Sequence, residues 1–271
     1  MKGMVFVGCS FTWGHGLWYY SELDSFGSGP DSFHKQFKRD SLMKFKDSIR
    51  YPRLVANHFE TFEITKKFTG GSERVSLKFL DLIFGKITID DVESTLKGVL
   101  SDEKYDYNEV EYVVLQTSCP WRNVLIIDDE SIEFTNTEDM KFYNQLKKHN
   151  IRDVDHYLEL LTKQLYDEIK NTLNELESNG IKCKILNWSK HYNHLMLNDE
   201  WGLDRLIKLN YKNKTYNSID EMVEDGNEHL WMGNDREYFG NNTPNDLHPS
   251  KLCHEILAES VIESINNGRV V

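Results

Sequence analysis

Apolar residues run without interruption from Gly3 to Gly8 and stop at Cys9-Ser10. A short continuous apolar run of this kind reads as a strand buried on both faces of a parallel sheet, feeding a turn. Phe62 to Phe68 alternates apolar and polar residues and predicts a second strand. Val110 to Gln116 (VEYVVLQ) carries the strongest strand signal, and Ile181 to Leu186 (IKCKIL) supplies a fourth. Helical patterns separate them. Residues 48–59 suit a helix entered near Pro52, which a first turn tolerates. Ser72 can cap a helix through about residue 84. Residues 90–100 predict another short helix. Leu158, Leu161, Leu165 and Ile169 recur at helical spacing within a long helix over 153–178, which Gly180 closes. Ser250 to Ile265 forms a terminal helix. Two stretches break the rhythm: residues 18–46 and 198–245 are mixed and irregular, and read as insertions or lid-like segments. The alternation of strands and helices predicts a single α/β domain over residues 1–271, with one parallel sheet covered by helices on both faces.

Ligands of such sheets bind beyond the carboxyl ends of the strands. Three polar segments fall at those ends: Gly8-Cys9-Ser10, Gly70-Gly71 and Thr117-Ser118. A serine just past a buried strand presents its hydroxyl at the sheet edge, where free backbone N–H groups can hold an oxyanion. A helix-capping turn is the plainer explanation of that serine taken alone. Asn245-Asp246-Leu247-His248-Pro249-Ser250 precedes the last helix. A histidine fixed at a helix entry can accept a serine proton, and a neighbouring carboxylate can orient its ring. Alone, the same residues also read as a cap and a surface histidine.

Taken together, the blocks resemble the SGNH/GDSL serine hydrolases. Gly8-Cys9-Ser10-Phe11-Thr12 is similar to that family's first block, with Cys9 in the usual aspartate place. Gly71 matches the glycine of the second block, and His248-Pro249-Ser250, followed by His254, matches the last. The resemblance implies a three-layer α/β/α, flavodoxin-like sheet of about five parallel strands. It implies Ser10 as nucleophile, His248 as base, Asp246 as the acid, and the Ser10 and Gly71 N–H groups as oxyanion donors. Two positions depart from the pattern. The third block, Gly-x-Asn-Asp in the family, is here Gln116-Thr117-Ser118-Cys119-Pro120-Trp121-Arg122, so Ser118, Arg122 and Asn123 are the available replacement donors, with Ser118 preferred. The acid slot three residues before the histidine holds Asn245, and Asp246 stands one residue closer. Trp13, Arg122 and Asn245 are candidate substrate contacts.

Composition narrows the chemistry. The formal net charge of -12, with both signs intermixed, repels a phosphate backbone, so no nucleic acid partner is expected. The expected substrate is a small-molecule or glycan acyl ester, a carbohydrate O-acetyl group being the preferred case. Acyl transfer by the same triad is one alternative, and a catalytically weak glycan- or ligand-binding module on the same fold is another. The mechanism needs no cofactor and no metal. His191 and His194, three apart, have no accompanying acid or thiol at ligand spacing. No run of eighteen apolar residues predicts a membrane span, and the first apolar run is too short for a signal peptide. Four scattered cysteines without a CxxC pair read as free thiols, so a cytoplasmic protein is expected. The Lys- and Asn-rich, Pro-poor composition suits a low-GC or viral genome. The sequence leaves the oligomeric state open.

Overall fold

The computed structural model describes residues 2–9, 12, 14, 17–21, 36–65, 72–92, 103–120, 125–127, 130–132, 144, 146–148, 151, 153–241, 244 and 248–268. Strand β1 (Gly3–Val7) leads, by way of a 3-10 turn at Leu17–Tyr20, to helices α1 (Gln36–Ile49) and α2 (Tyr51–His58). Strand β2 (Glu63–Thr65), helix α3 (Glu73–Ile83) and strand β3 (Val110–Gln116) follow. A small antiparallel pair, β4 (Leu125–Ile127) and β5 (Glu130–Ile132), precedes the long helix α4 (Val154–Ser178) and strand β6 (Lys182–Leu186). Then come helices α5 (Asn193–Leu197) and α6 (Glu200–Arg205), the hairpin β7 (Leu209–Tyr211) and β8 (Lys214–Tyr216), and helices α7 (Ile219–Glu224), α8 (Arg236–Phe239) and α9 (Lys251–Asn267).

The main sheet is parallel, in the order β2-β1-β3-β6. A parallel bridge from Ile185 to Leu206 extends it by one residue at the β6 edge, where a fifth strand would pair. Alternation along β1 divides the interior into two layers. Val5 and Val7 join Val113 and Leu115 of β3 in a core covered by α3 and α4. Met4 and Phe6 join Tyr112 and Val114 in a second core covered by α2, α7 and α9. The protein is therefore an α/β fold with helices on both faces of a parallel sheet, as the strand–helix alternation predicts. Because β2 and β3 flank β1 on opposite sides, the chain reverses direction across the sheet next to β1, the place where such sheets form a crevice.

Several predicted boundaries coincide with the observed ones. β3 spans the predicted residues, and Ser72 caps α3 by accepting the Val75 N–H at 3.5 Å. Asp153 caps α4, and Ser250 caps α9 by accepting the Cys253 N–H at 3.2 Å. The expected helix over 48–59 is divided: α1 ends at Ile49, and α2 starts at Tyr51 with Pro52 in its first turn. Pro52 has no N–H to give the carbonyl of Ser48, four residues earlier, and its ring would crowd that carbonyl, so the first helix cannot run through it and a new one begins after the extended Arg50. The described part of the stretch 198–245 is not irregular. After α5 it holds helices α6, α7 and α8 and the hairpin β7–β8. All four cysteines are free and buried. Among the described residues no helix is long and apolar enough to cross a membrane.

The two leucines at positions 160 and 165 of α4 give a direct test of this layering. Leu165 is wholly buried, whereas Leu160 is 53% exposed. Leu165→Ala should cost about 2–5 kcal/mol in urea unfolding, and Leu160→Ala should stay within about 0.5 kcal/mol of wild type.

Candidate active site

The carboxyl ends of β1 and β3 lie side by side, with Val7 paired to Leu115. Beyond Val7, Gly8 must be small: a Cβ there would stand 2.8 Å from Gln116 Cβ and would also collide with the Thr12 side chain. Cys9 is 1% exposed. Its sulfur accepts from Gln116 Nε2 at 3.3 Å, and the Thr12 hydroxyl donates to Gln116 Oε1 at 2.9 Å. Gly14 has φ of +76°, a conformation that strains any residue with a Cβ, and it packs against Leu17 and Arg50. Arg50 in turn pairs with Glu63, the first residue of β2 (2.6 Å), and Arg53 takes the other Glu63 oxygen at 3.0 Å. Burial raises the Glu63 pKa, and the two arginines oppose that shift. The turn after β1 is thus set on a buried ionic footing.

At the end of β3, Thr117 accepts the Trp188 N–H at 3.1 Å, and its own N–H reaches Leu186 O, which ties this segment to the end of β6. Ser118 is 1% exposed. Its backbone N–H donates at 2.6 Å to Glu73, the first residue of α3 and itself buried. A carboxylate is stable there because it also faces the positive end of the helix. Tyr192 lies beside it, and burial followed by the Glu73 charge holds the Tyr192 pKa well above 10. With its N–H committed, Ser118 keeps one free donor: a buried hydroxyl with no hydrogen-bond partner among the described residues.

His248 is half-buried and is anchored through its main chain. Its carbonyl accepts the Met232 N–H at 2.9 Å, Pro249 bridges Trp231, and the Ser250 N–H donates to Leu230 O at 2.7 Å. Trp231 meets Trp188 edge to face at 4.9 Å, and the Trp188 indole N–H donates to Cys119 Sγ at 3.2 Å. The segment that holds His248 is also tied to the turn after β1. Tyr20 donates to Asp235 at 2.6 Å, Tyr238 donates to Tyr20 O at 2.9 Å, and both Tyr238 and Phe239 pack on the Tyr20 ring. Burial and the Asp235 carboxylate raise the Tyr20 pKa far above 10. Tyr20 and its neighbours therefore serve as packing under the first insertion. Below His248, His254 Nδ1 accepts the Tyr51 N–H at 3.3 Å, so the neutral ring carries its proton on Nε2, which has no partner among the described residues.

Of the residues singled out in the sequence, Ser118 and His248 are placed as described. Ser10, Gly71, Asp246, Trp13, Arg122, Asn123 and Asn245 lie outside the described residues. Described residues near three of these positions, Cys9, Glu73 and Pro249, are tied to the ends of β3 and β6, by contacts to Gln116, to Ser118 and, through Trp231, to Trp188. Sequence reading missed the roles of Glu73, Gln116 and Asp235. Gln116 had a signal, since a polar residue closing an otherwise apolar strand needs a buried partner. Asp235 had another, as an N-cap before Arg-Glu-Tyr-Phe. His191 and His194 sit in the turn after β6 and in α5, and no group of three or more metal-ligating side chains occurs among the described residues.

Burial, with help from the Arg50, His248 and Lys46 charges, pushes the His254 pKa down to about 3. The unfolded ring takes up its proton near pH 6.5, so stability is lost as pH falls from there toward 3. His254→Gln keeps an acceptor for the Tyr51 N–H but cannot ionise. Chemical denaturation from pH 7 to pH 4 should show wild type losing stability relative to this variant. Equal losses would mean that His254 is not buried neutral. Asp220, whose carboxyl burial raises to about 6, contributes with the opposite sign and is common to both proteins.

No family model matches the chain, and no curated protein matches it. A solved structure of a carbohydrate esterase, whose active site is described as having divergent catalytic and non-catalytic binding functions, is similar with a TM-score of 0.45 at 13% sequence identity. The match covers 98% of this chain and 65% of the other, so the chain spans just under two thirds of that protein's length.

Proposed function

We propose that this chain is a single-domain serine esterase of the SGNH/GDSL type. Ser10 attacks the ester carbonyl, and His248 takes the serine proton and passes it to the leaving alcohol. Asp246 orients His248 and stabilises the imidazolium. Water then attacks the acyl-enzyme by the same proton relay, releasing the acid and restoring Ser10. The observation that carries the reading is convergence. The ends of β1 and β3 and the start of α3 are joined by buried hydrogen bonds, and a further pair runs from Thr12 through Tyr51 to His254 of α9, the helix that follows His248. These are the segments on which the sequence motifs fall, and they lie at the edge of the sheet where α/β folds bind ligands.

Within this reading the Ser10 and Gly71 N–H groups and the Ser118 hydroxyl hold the oxyanion. That the Ser118 hydroxyl is buried with no hydrogen-bond partner among the described residues supports that choice, since burying an unpaired donor costs stability. O-deacetylation of a carbohydrate is the preferred reaction. The Trp188–Trp231 pair beside Pro249 supports it by giving an apolar ring surface near His248.

Labelling with a fluorophosphonate probe, with the adduct located by mass spectrometry, tests the assignment. Wild type should be modified at Ser10, Ser10→Ala not at all, and His248→Ala far more slowly. A folded wild-type protein with no adduct would favour the binding-module reading. With a short acyl ester as substrate, Ser118→Ala should lower kcat by about 10²–10³, the usual effect of losing one oxyanion donor. An unchanged kcat would remove Ser118 from the site.

A further inference from the structure

Gln116 ends β3 and is almost wholly buried. Its side chain does not pair within its own strand. It crosses to the neighbouring segment and uses both ends of its amide there. Oε1 accepts the Thr12 hydroxyl at 2.9 Å, and Nε2 donates to Cys9 Sγ at 3.3 Å. Cys9 and Thr12 are the residues on either side of the Ser10-Phe11 pair. One side chain therefore grips both ends of a two-residue span that contains the proposed nucleophile.

The grip is backed on three sides. Gly8 leaves room for nothing larger than hydrogen between Thr12 and Gln116. The Tyr51 hydroxyl lies 3.3 Å from Thr12 Oγ1, and because the Thr12 proton is committed to Gln116, Tyr51 is the donor in that contact. Tyr51 is fully buried, stacks on His254 and donates its N–H to His254 Nδ1. His254 lies in the second turn of α9, the helix that begins just after His248. A continuous chain of contacts runs from Cys9 and Thr12 through Gln116 and Tyr51 to the helix behind His248.

We propose that Gln116, acting through Cys9 and Thr12, is a positioning residue for Ser10: its amide holds the two residues that flank the Ser10-Phe11 pair, and Tyr51 links them to the helix that follows the base. This rests on the serine-esterase reading and deepens it. A buried amide is suited to the task. It is uncharged and so leaves the site's electrostatics to Asp246 and His248, and it offers one donor and one acceptor at a fixed separation. Misplacing a reacting group by about 1 Å costs on the order of 10²-fold in rate, so a hydrogen bond two residues away has kinetic leverage well beyond its effect on folding.

The test compares Thr12→Val, Thr12→Ser and Gln116→Met by the rate of fluorophosphonate labelling at Ser10, measured well below each protein's thermal midpoint. Thr12→Val removes the hydroxyl while keeping shape, and Thr12→Ser keeps the hydroxyl while losing a methyl. Thr12→Val and Gln116→Met should label about 10- to 100-fold more slowly, with KM for p-nitrophenyl acetate unchanged. Thr12→Ser should stay within about threefold of wild type, a rescue that simple packing would not give. If Gln116→Met does not fold, the two Thr12 variants carry the comparison. A folded Thr12→Val that labels at the wild-type rate, or a Thr12→Ser as slow as Thr12→Val, overturns the positioning role and leaves the esterase reading standing. Absence of label on wild-type Ser10 instead overturns the esterase reading, and the positioning role with it.

Discussion

The burial of β1 on both faces is the constraint on which the rest of the molecule depends. With β2 on one side and β3 on the other, its five residues are sealed above and below by two separate cores. No polar side chain is possible within the strand, so the first polar chemistry must appear where it ends. Just past that end, Gly8 has no room for a Cβ beside Gln116, and Gly14, packed beside Arg50, is at positive φ, so both positions call for glycine. The position of the proposed nucleophile follows from where a sealed strand runs out of apolar residues.

A second dependency runs through segments whose regular elements are only three or four residues long. The loop before α9 is held by Leu230 and Met232, and the segment after them reaches back through Asp235 to Tyr20. This gives the two ends of the chain a common small core made of Leu17, Tyr20 and Met232, separate from the two main layers. An all-parallel sheet does not by itself bring Tyr20 onto Asp235. That closure is the work of the insertion following β1 and of the stretch between α7 and α9, which looked like decoration in the sequence.

What the sequence made legible and what it hid differ in physical kind. β3, α4 and β6 were readable because long periodic or unbroken apolar runs leave few options. The stretch 198–245 was not, because its elements are three to six residues long and its hairpin turns on Lys212-Asn213, both at positive φ, in place of the Asn-Gly or Asp-Gly pair that marks such turns. At the candidate site, Ser118 was readable as a polar residue just past the end of β3. That its N–H would be taken by Glu73 was not, since the partner lies 45 residues away and only the fold brings it there. The same holds for Gln116 and Thr12, which are 104 residues apart. Local pattern reveals which residues are available, and tertiary contact decides what they are used for.

The four buried thiols have a use that follows from the layering. Cys183 belongs to the core under α3 and α4, whereas Cys9, Cys119 and Cys253 belong to the core under α2, α7 and α9. Burial raises the pKa of Cys253 to about 12 and that of Cys183 higher still, so neither reacts as a thiolate while its layer is closed. The molecule thus carries an intrinsic reporter in each half. The order in which these sulfurs become alkylated under mild denaturant records which layer opens first and by how much free energy, with no label introduced.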